Sequence, residues 1–206
     1  MILKKYFGHK TFYKHTGMVM LPIAIQSVLT SVSGFIDTIM ASQIDCVSAI
    51  GTALQIDALM QGIAFGIAAG INIFIIQYYG ANDIKKMRKS FGLSLISVFL
   101  NALFWILLVF IFNRYLLAIF IQDQKVISDA FEYIQVACFS YILTSLILSF
   151  TFAYHSVQKT YIPLVISAIT MILHILFNIL FMFIFHFGIK GAAISLLLSQ
   201  IISFIL

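Results

Sequence analysis

The sequence is poor in charge, cysteine and proline. Twelve Lys and Arg and seven Asp and Glu make up 9% of its 206 residues. That is too little polar surface to coat a water-soluble globule. The two cysteines, Cys46 and Cys138, fall on different elements and match no metal-ligand spacing, so both are read as structural. The two prolines, Pro22 and Pro163, each sit near the expected start of a helix, where a missing N–H costs little. What fills the chain instead is apolar: 62% hydrophobic and 15% aromatic residues, with a mean hydropathy of +1.09. An integral membrane protein is implied.

Six apolar runs lie at roughly 18–40, 47–79, 91–112, 133–154, 162–185 and 189 to the end. Each is about the 20 residues that a helix needs to cross the hydrocarbon. A transmembrane β-barrel would alternate polar and apolar residues, which LFWILLVFIF does not. The expected fold is therefore an all-α membrane protein, a bundle of six transmembrane helices over residues 18–206 behind a basic tail at 1–17. Lys4, Lys5, Lys10, Lys14, Lys85, Lys86, Arg88, Lys89 and Lys159 fall on one side of this arrangement, against Arg114, Lys125 and Lys190 on the other. The excess places the N-terminus and the even-numbered connections in the cytoplasm. The net charge of +5 then reads as anchoring to anionic lipid headgroups. No basic stretch is interleaved with base-stacking aromatics, so a nucleic-acid partner is not expected. The first helix, behind a short basic tail and without a small-residue cleavage site, is expected to be retained.

One carboxylate stands out. Asp37 interrupts the first apolar run, and an ionised Asp facing lipid costs at least about a few kcal/mol, so it is expected to face a polar cavity or the bundle interior. Gln26, Thr30, Ser33 and Asp37 are spaced by four, three and four residues, which puts them on one helical face. The fifth run has a matching stripe, Ser167, Thr170, His174 and Asn178, spaced three, four and four. Two polar faces in an apolar bundle meet each other or water. The plainer alternative is that the hydroxyls bond back to their own helices and His174 is a satisfied interhelical donor. Asp57, the other acid within an apolar run, is expected near enough to the outer interface to reach headgroup water. Ala58, Gly62, Gly66 and Gly70 form a small-residue stripe expected to admit a neighbouring helix.

Enzymatic signatures are missing. There is no HExxH pair, GxSxG elbow or GxxxxGK[ST] loop, and no metal site is assembled by His174 and Asn178 alone. Neither an enzyme nor a bound cofactor is expected.

The segment IIQYYGANDIKKMRKSFG resembles the Gln-Tyr-x-Gly-Ala-x-Asp signature of multidrug and toxic compound extrusion (MATE) transporters, through Gln77, Tyr78, Gly80, Ala81 and Asp83. Asp37 within FIDTIMAS is similar to that family's first-helix acid, and GIKGAAIS at 188–195 to the turn that opens its sixth helix. The likeness runs from about Met18 to the C-terminus. It implies one lobe of a two-lobe, parallel-repeat secondary transporter of the plasma membrane, exporting cationic or amphiphilic compounds in exchange for protons or sodium ions. A second six-helix lobe, or another copy, is implied as partner, because lobes rock against each other around a shared site. Ending at Leu206 within an apolar run, the chain is expected to be a fragment, a truncated product or a half-transporter.

Departures from the family pattern bear on the coupling ion. Many members carry an Asn and, four residues on, an Asp in the fifth helix, with a Thr in the sixth. Here the matching positions are His174, Asn178 and Leu196. An imidazole, an amide and a methyl-bearing side chain replace three oxygen donors, which suits a proton better than a hard cation such as sodium. The resemblance thus casts Asp37 as the coupling group with His174 and Asn178 beside it, and Gln26, Thr30, Ser33, Ser167 and Thr170 as cavity lining. In the fourth connection, His155 and Gln158 stand where members often have an Arg and a Gly. Two alternatives stay open: a lipid-linked saccharide flippase of the same superfamily, which tends to carry basic residues in its cavity, and a non-transporting half-lobe that assembles with a complete transporter.

Overall fold

The computed structural model describes residues 9–206. Lys4 and Lys5 of the expected basic tail lie outside the described residues. Seven α-helices follow one another: α1 Lys10–Ser42, α2 Val47–Gly80, α3 Ile84–Ala118, α4 Gln124–Ala137, α5 Ser140–Ser156, α6 Tyr161–Asn178 and α7 Gly188–Ile205. Five of them, α6 together with the π-helical turn Ile179–Ile184 that extends it, are long and apolar enough to cross a membrane. The pair α4 and α5, bent by 56°, makes the sixth span. Such helices satisfy every backbone donor and acceptor internally, which is what a hydrocarbon environment demands. The expected six-helix all-α bundle is what the chain adopts.

Boundaries differ from the reading of the sequence in informative ways. The first helix begins at Lys10, so residues 10–17, expected as tail, form its opening turns. Pro22 consequently lies in the fourth turn of α1 rather than at its start, whereas Pro163 is the third residue of α6, as expected. The fourth span begins at Gln124 and not near 133. Its first half buries Ile127, Ala130, Ile134 and Ala137 on one face and carries Asp129 and Glu132 on another, so average hydropathy hides it. At the bend the Ser140 hydroxyl donates to Ala137 O at 2.6 Å.

Caps mark two starts. Asp83 accepts from Lys86 N at 3.0 Å to open α3, and Asp123 accepts from Lys125 N at 2.8 Å to open α4. The Lys86 backbone and side-chain contacts hold the Asp83 carboxyl below its ordinary pKa. A depressed carboxylate stabilises the fold above its unfolded pKa and loses that contribution as pH falls through the lower folded value.

Packing is by small residues and short polar bonds. Ala53, Ala64 and Ala68 of α2 are buried with Ile56 and Met60. Ser94 on α3 bonds Ser149 on α5 at 2.6 Å, Asn72 on α2 bonds Ser156 on α5, and Asn101 on α3 donates to Met60 O at 3.4 Å. The expected stripe Ala58, Gly62, Gly66 and Gly70 is instead exposed, with nothing within 4 Å of a Cβ built on its three glycines. α2 carries small residues on two faces, and spacing alone does not say which one meets the lobe. Close approach occurs at Gly191, where an added Cβ would stand 2.8 Å from the Phe181 carbonyl carbon and oxygen. Gly191→Val is therefore expected to push α7 off the π-helical turn and lower the melting temperature of the purified protein, an overpacking cost of about 1–3 kcal/mol or more.

α1 packs mainly on α6 and less on α2. The gap so left between α1, α2, α4, α5, α6 and α7 is the cavity described next.

Candidate functional site

α1 and α6 run parallel, Gln26 meeting Ser167 and Asp37 meeting Asn178, so Asp37 near the α1–α2 turn and Asn178 at the end of α6 lie at the same end of the bundle. Asp37 Oδ1 lies 2.8 Å from His174 Nε2 and accepts from Asn178 Nδ2 at 2.9 Å. Asn178 Nδ2 is also 3.0 Å from His174 Nε2. On the far side of the ring, His174 Nδ1 is 3.3 Å from Ser199 Oγ on α7. His174 and Asn178 are buried, while the Asp37 side chain is 30% exposed and opens onto a cavity of about 320 Å³ and an adjoining one of about 180 Å³. Asn178 Oδ1 is buried with no hydrogen-bond partner among the described residues.

Counting hydrogens shows what this arrangement can do. A carboxylate oxygen and a bare ring nitrogen repel each other at 2.8 Å, so the tautomer that bonds Asp37 is the one with a hydrogen on His174 Nε2. The Ser199 hydroxyl donates to Leu196 O at 2.8 Å, which leaves its oxygen to accept from a protonated Nδ1. In that arrangement Asp37 and His174 together hold one more proton than a carboxylate and a neutral imidazole. If the hydroxyl turns to donate to Nδ1 instead, the imidazole keeps only its Nε2 proton and the pair carries a net negative charge.

The other expected lining residues divide. Gln26 Nε2 donates to Ser167 Oγ at 3.0 Å and ties α1 to α6. Ser33 lines both cavities. Thr30 donates to Gln26 O at 3.0 Å and Thr170 to Ile166 O at 2.8 Å, so their hydroxyls bond back to their own helices while the residues still border a cavity. Leu196 lines both cavities.

Sequence reasoning missed Ser199, Gln200 and Tyr133 on these walls, and misplaced Asp57. Ser195, Ser199 and Ser203 recur every four residues on α7, a signal of the same kind as the two stripes that were found. Asp57 does not reach headgroup water. It is 5% exposed, accepts a hydrogen bond from the Tyr141 hydroxyl, and borders the larger cavity. The reason is the α4–α5 bend, which swings Tyr141 across α2 and cannot be read from hydropathy.

The family model described as MatE matches residues 22–180. The chain belongs to the MatE family. Its fold is shared by solved members, with low sequence identity. An outward-facing multidrug resistance MATE family transporter of the MOP superfamily matches with TM-score 0.86 and 18% identity over 93% of this chain and 43% of that one. A MOP superfamily transporter from Pyrococcus furiosus, whose binding pocket is described as reversed in polarity, gives the same TM-score, identity and coverage. A mutant of the Vibrio cholerae MATE transporter VcmN gives TM-score 0.88 and 17% identity over 94% of this chain and 44% of that one. The MatE chain therefore spans less than half the length of the solved structures that it resembles. No curated protein matches its sequence. Family and fold are those of a multi-pass membrane transporter.

Proposed function

We propose that this MatE chain forms one lobe of a proton-coupled secondary transporter that exports cationic or amphiphilic compounds, lying in the plasma membrane with its N-terminus in the cytoplasm. The observation that carries the reading is the Asp37–His174–Asn178 cluster at the wall of a cavity. An acid in a membrane bundle marks an ion or substrate path by default. Both N–H donors point at the one carboxylate oxygen, Oδ1, so that oxygen is occupied in a way that suits a shared proton and leaves a sodium ion short of ligands. Loss of the proton exposes a net negative charge to the cavity, where an organic cation can replace it. The N-terminal and even-numbered connections carry most of the basic residues, which supports the orientation.

Neither cavity around Asp37 is lined by a Lys or Arg. A flippase holding a pyrophosphate needs such cations, so the lining favours cationic cargo. Because MATE structures are more than twice as long as this chain, the second lobe or another copy is proposed as its partner. Accumulation of ethidium in cells producing this chain alone, and with a second six-helix lobe, tests the reading. Ethidium content is expected to fall when both lobes are present. Unchanged accumulation in both cases contradicts transport and points to the interacting half-lobe.

A further inference from the structure

The acid that the family pattern places in the fifth helix is an amide here, Asn178, yet the same cavity holds a second carboxyl group from another helix. Asp57 is on α2, a little over one turn deeper than Asp37. At 1.5 Å per residue, Asp37 stands about 8 Å and Asp57 about 15 Å from the turn that joins their helices. The Tyr141 hydroxyl of α5 donates to Asp57 Oδ1. The titratable groups facing this space are Tyr141 from α5, Tyr133 from α4, Asp37 from α1 and His174 from α6, with Cys138 buried at the α4–α5 bend. α3 contributes none to the wall, and no Lys or Arg does.

A buried carboxylate without a cation is costly, and one hydrogen bond from a neutral phenol does not offset the charge. Compensation has to arrive through the cavity. At 5% exposure Asp57 offers too little surface to pair with a bulky organic cation but enough for a proton. We propose that Asp57, held by Tyr141, is a second proton-carrying site of this cavity, separate from the Asp37–His174 pair. The proton adds to the carboxylate while the phenol stays a donor, and leaves by the same route, so nothing else is oxidised, reduced or cleaved. This deepens the coupling reading and rests on it for its physiological role, although proton binding at Asp57 does not.

The test is pH-difference infrared spectroscopy of the purified protein in lipid, which reads carboxyl groups directly and requires no transport. The wild type is expected to show a protonated-carboxyl band that disappears in Asp57→Asn, shifts in Tyr141→Phe because its hydrogen bond is lost, and persists in Asp37→Asn. Loss of transport in Asp37→Asn with the Asp57 band intact separates this proposal from the coupling reading. Superimposable difference spectra for wild type and Asp57→Asn overturn it, since the carboxyl group then never changes state. Where Asp57→Asn fails to fold, Tyr141→Phe decides: a shifted band supports the site and an unshifted one overturns it.

Discussion

Asp37→Asn is expected to abolish the proposed proton-coupled efflux. The amide is nearly the same size, so the bundle and its cavity are expected to persist, but it cannot take up a proton and cannot offer a negative charge to an organic cation. The two N–H groups aimed at Asp37 Oδ1 would still find an amide oxygen, which keeps His174 and Asn178 in place. Folding and chemistry are thereby separated. In cells producing both lobes, ethidium content is expected to return to the level of cells without the transporter, while the amount of folded protein in the membrane is unchanged. A large fall in folded protein would instead assign Asp37 a structural role. Preserved efflux would remove it from the coupling step.

His174→Ala is expected to have the next largest effect. His174 Nε2 stands 2.8 Å from Asp37 Oδ1, and hydrogen bonds to charged groups contribute about 1.5–3 kcal/mol, more than tenfold in an equilibrium. Its loss leaves Asp37 with the Asn178 amide alone, so proton binding and release there no longer run through the ring. The pH dependence of efflux is expected to change in shape and the maximum rate to fall by at least about tenfold by the same estimate. Ser199→Ala removes only the acceptor at Nδ1. With a neutral hydrogen bond contributing about 0.5–1.5 kcal/mol, its effect is roughly two- to twelve-fold, smaller than that of His174→Ala. An identical pH profile for wild type and His174→Ala would show that the ring merely fills space.

Periodicity made much of this site legible. The two stripes, Gln26 to Asp37 and Ser167 to Asn178, were visible because helical spacing turns a list of polar residues into a face, and an apolar environment gives two such faces few places to go. The structure brings Asp37, His174 and Asn178 together, and Gln26 with Ser167. The Thr30 and Thr170 hydroxyls could not be assigned from spacing, because bonding back to the preceding turn and facing a partner look the same in sequence. Asp57 was misjudged for a different reason. Its depth along α2 was readable, but its cover depends on Tyr141, which the 56° bend between α4 and α5 brings across from a remote part of the chain. The glycine stripe of α2 failed likewise: Ala53, Ala64 and Ala68 compete with it for the neighbour, and the outcome is set by tertiary packing.

The fold follows from the composition more directly. Apolar runs of membrane length leave helices as the one way to pair the backbone, and the bundle was expected on that ground. Amphipathic α4 escaped because Asp129 and Glu132 lower its average hydropathy although its buried face is continuous. The π-helical turn after Asn178 had no signal of its own. Its one trace in the packing is Gly191, where α7 comes so close to Phe181 that an added Cβ would clash.

The most direct measurement imposes one gradient at a time on vesicles containing the protein with both lobes and follows ethidium. A proton gradient without sodium is expected to drive transport, and a sodium gradient at equal pH is expected to leave ethidium where it was. Transport that follows the sodium gradient and is indifferent to His174→Ala would contradict the claim that the Asp37–His174 pair carries the coupling proton.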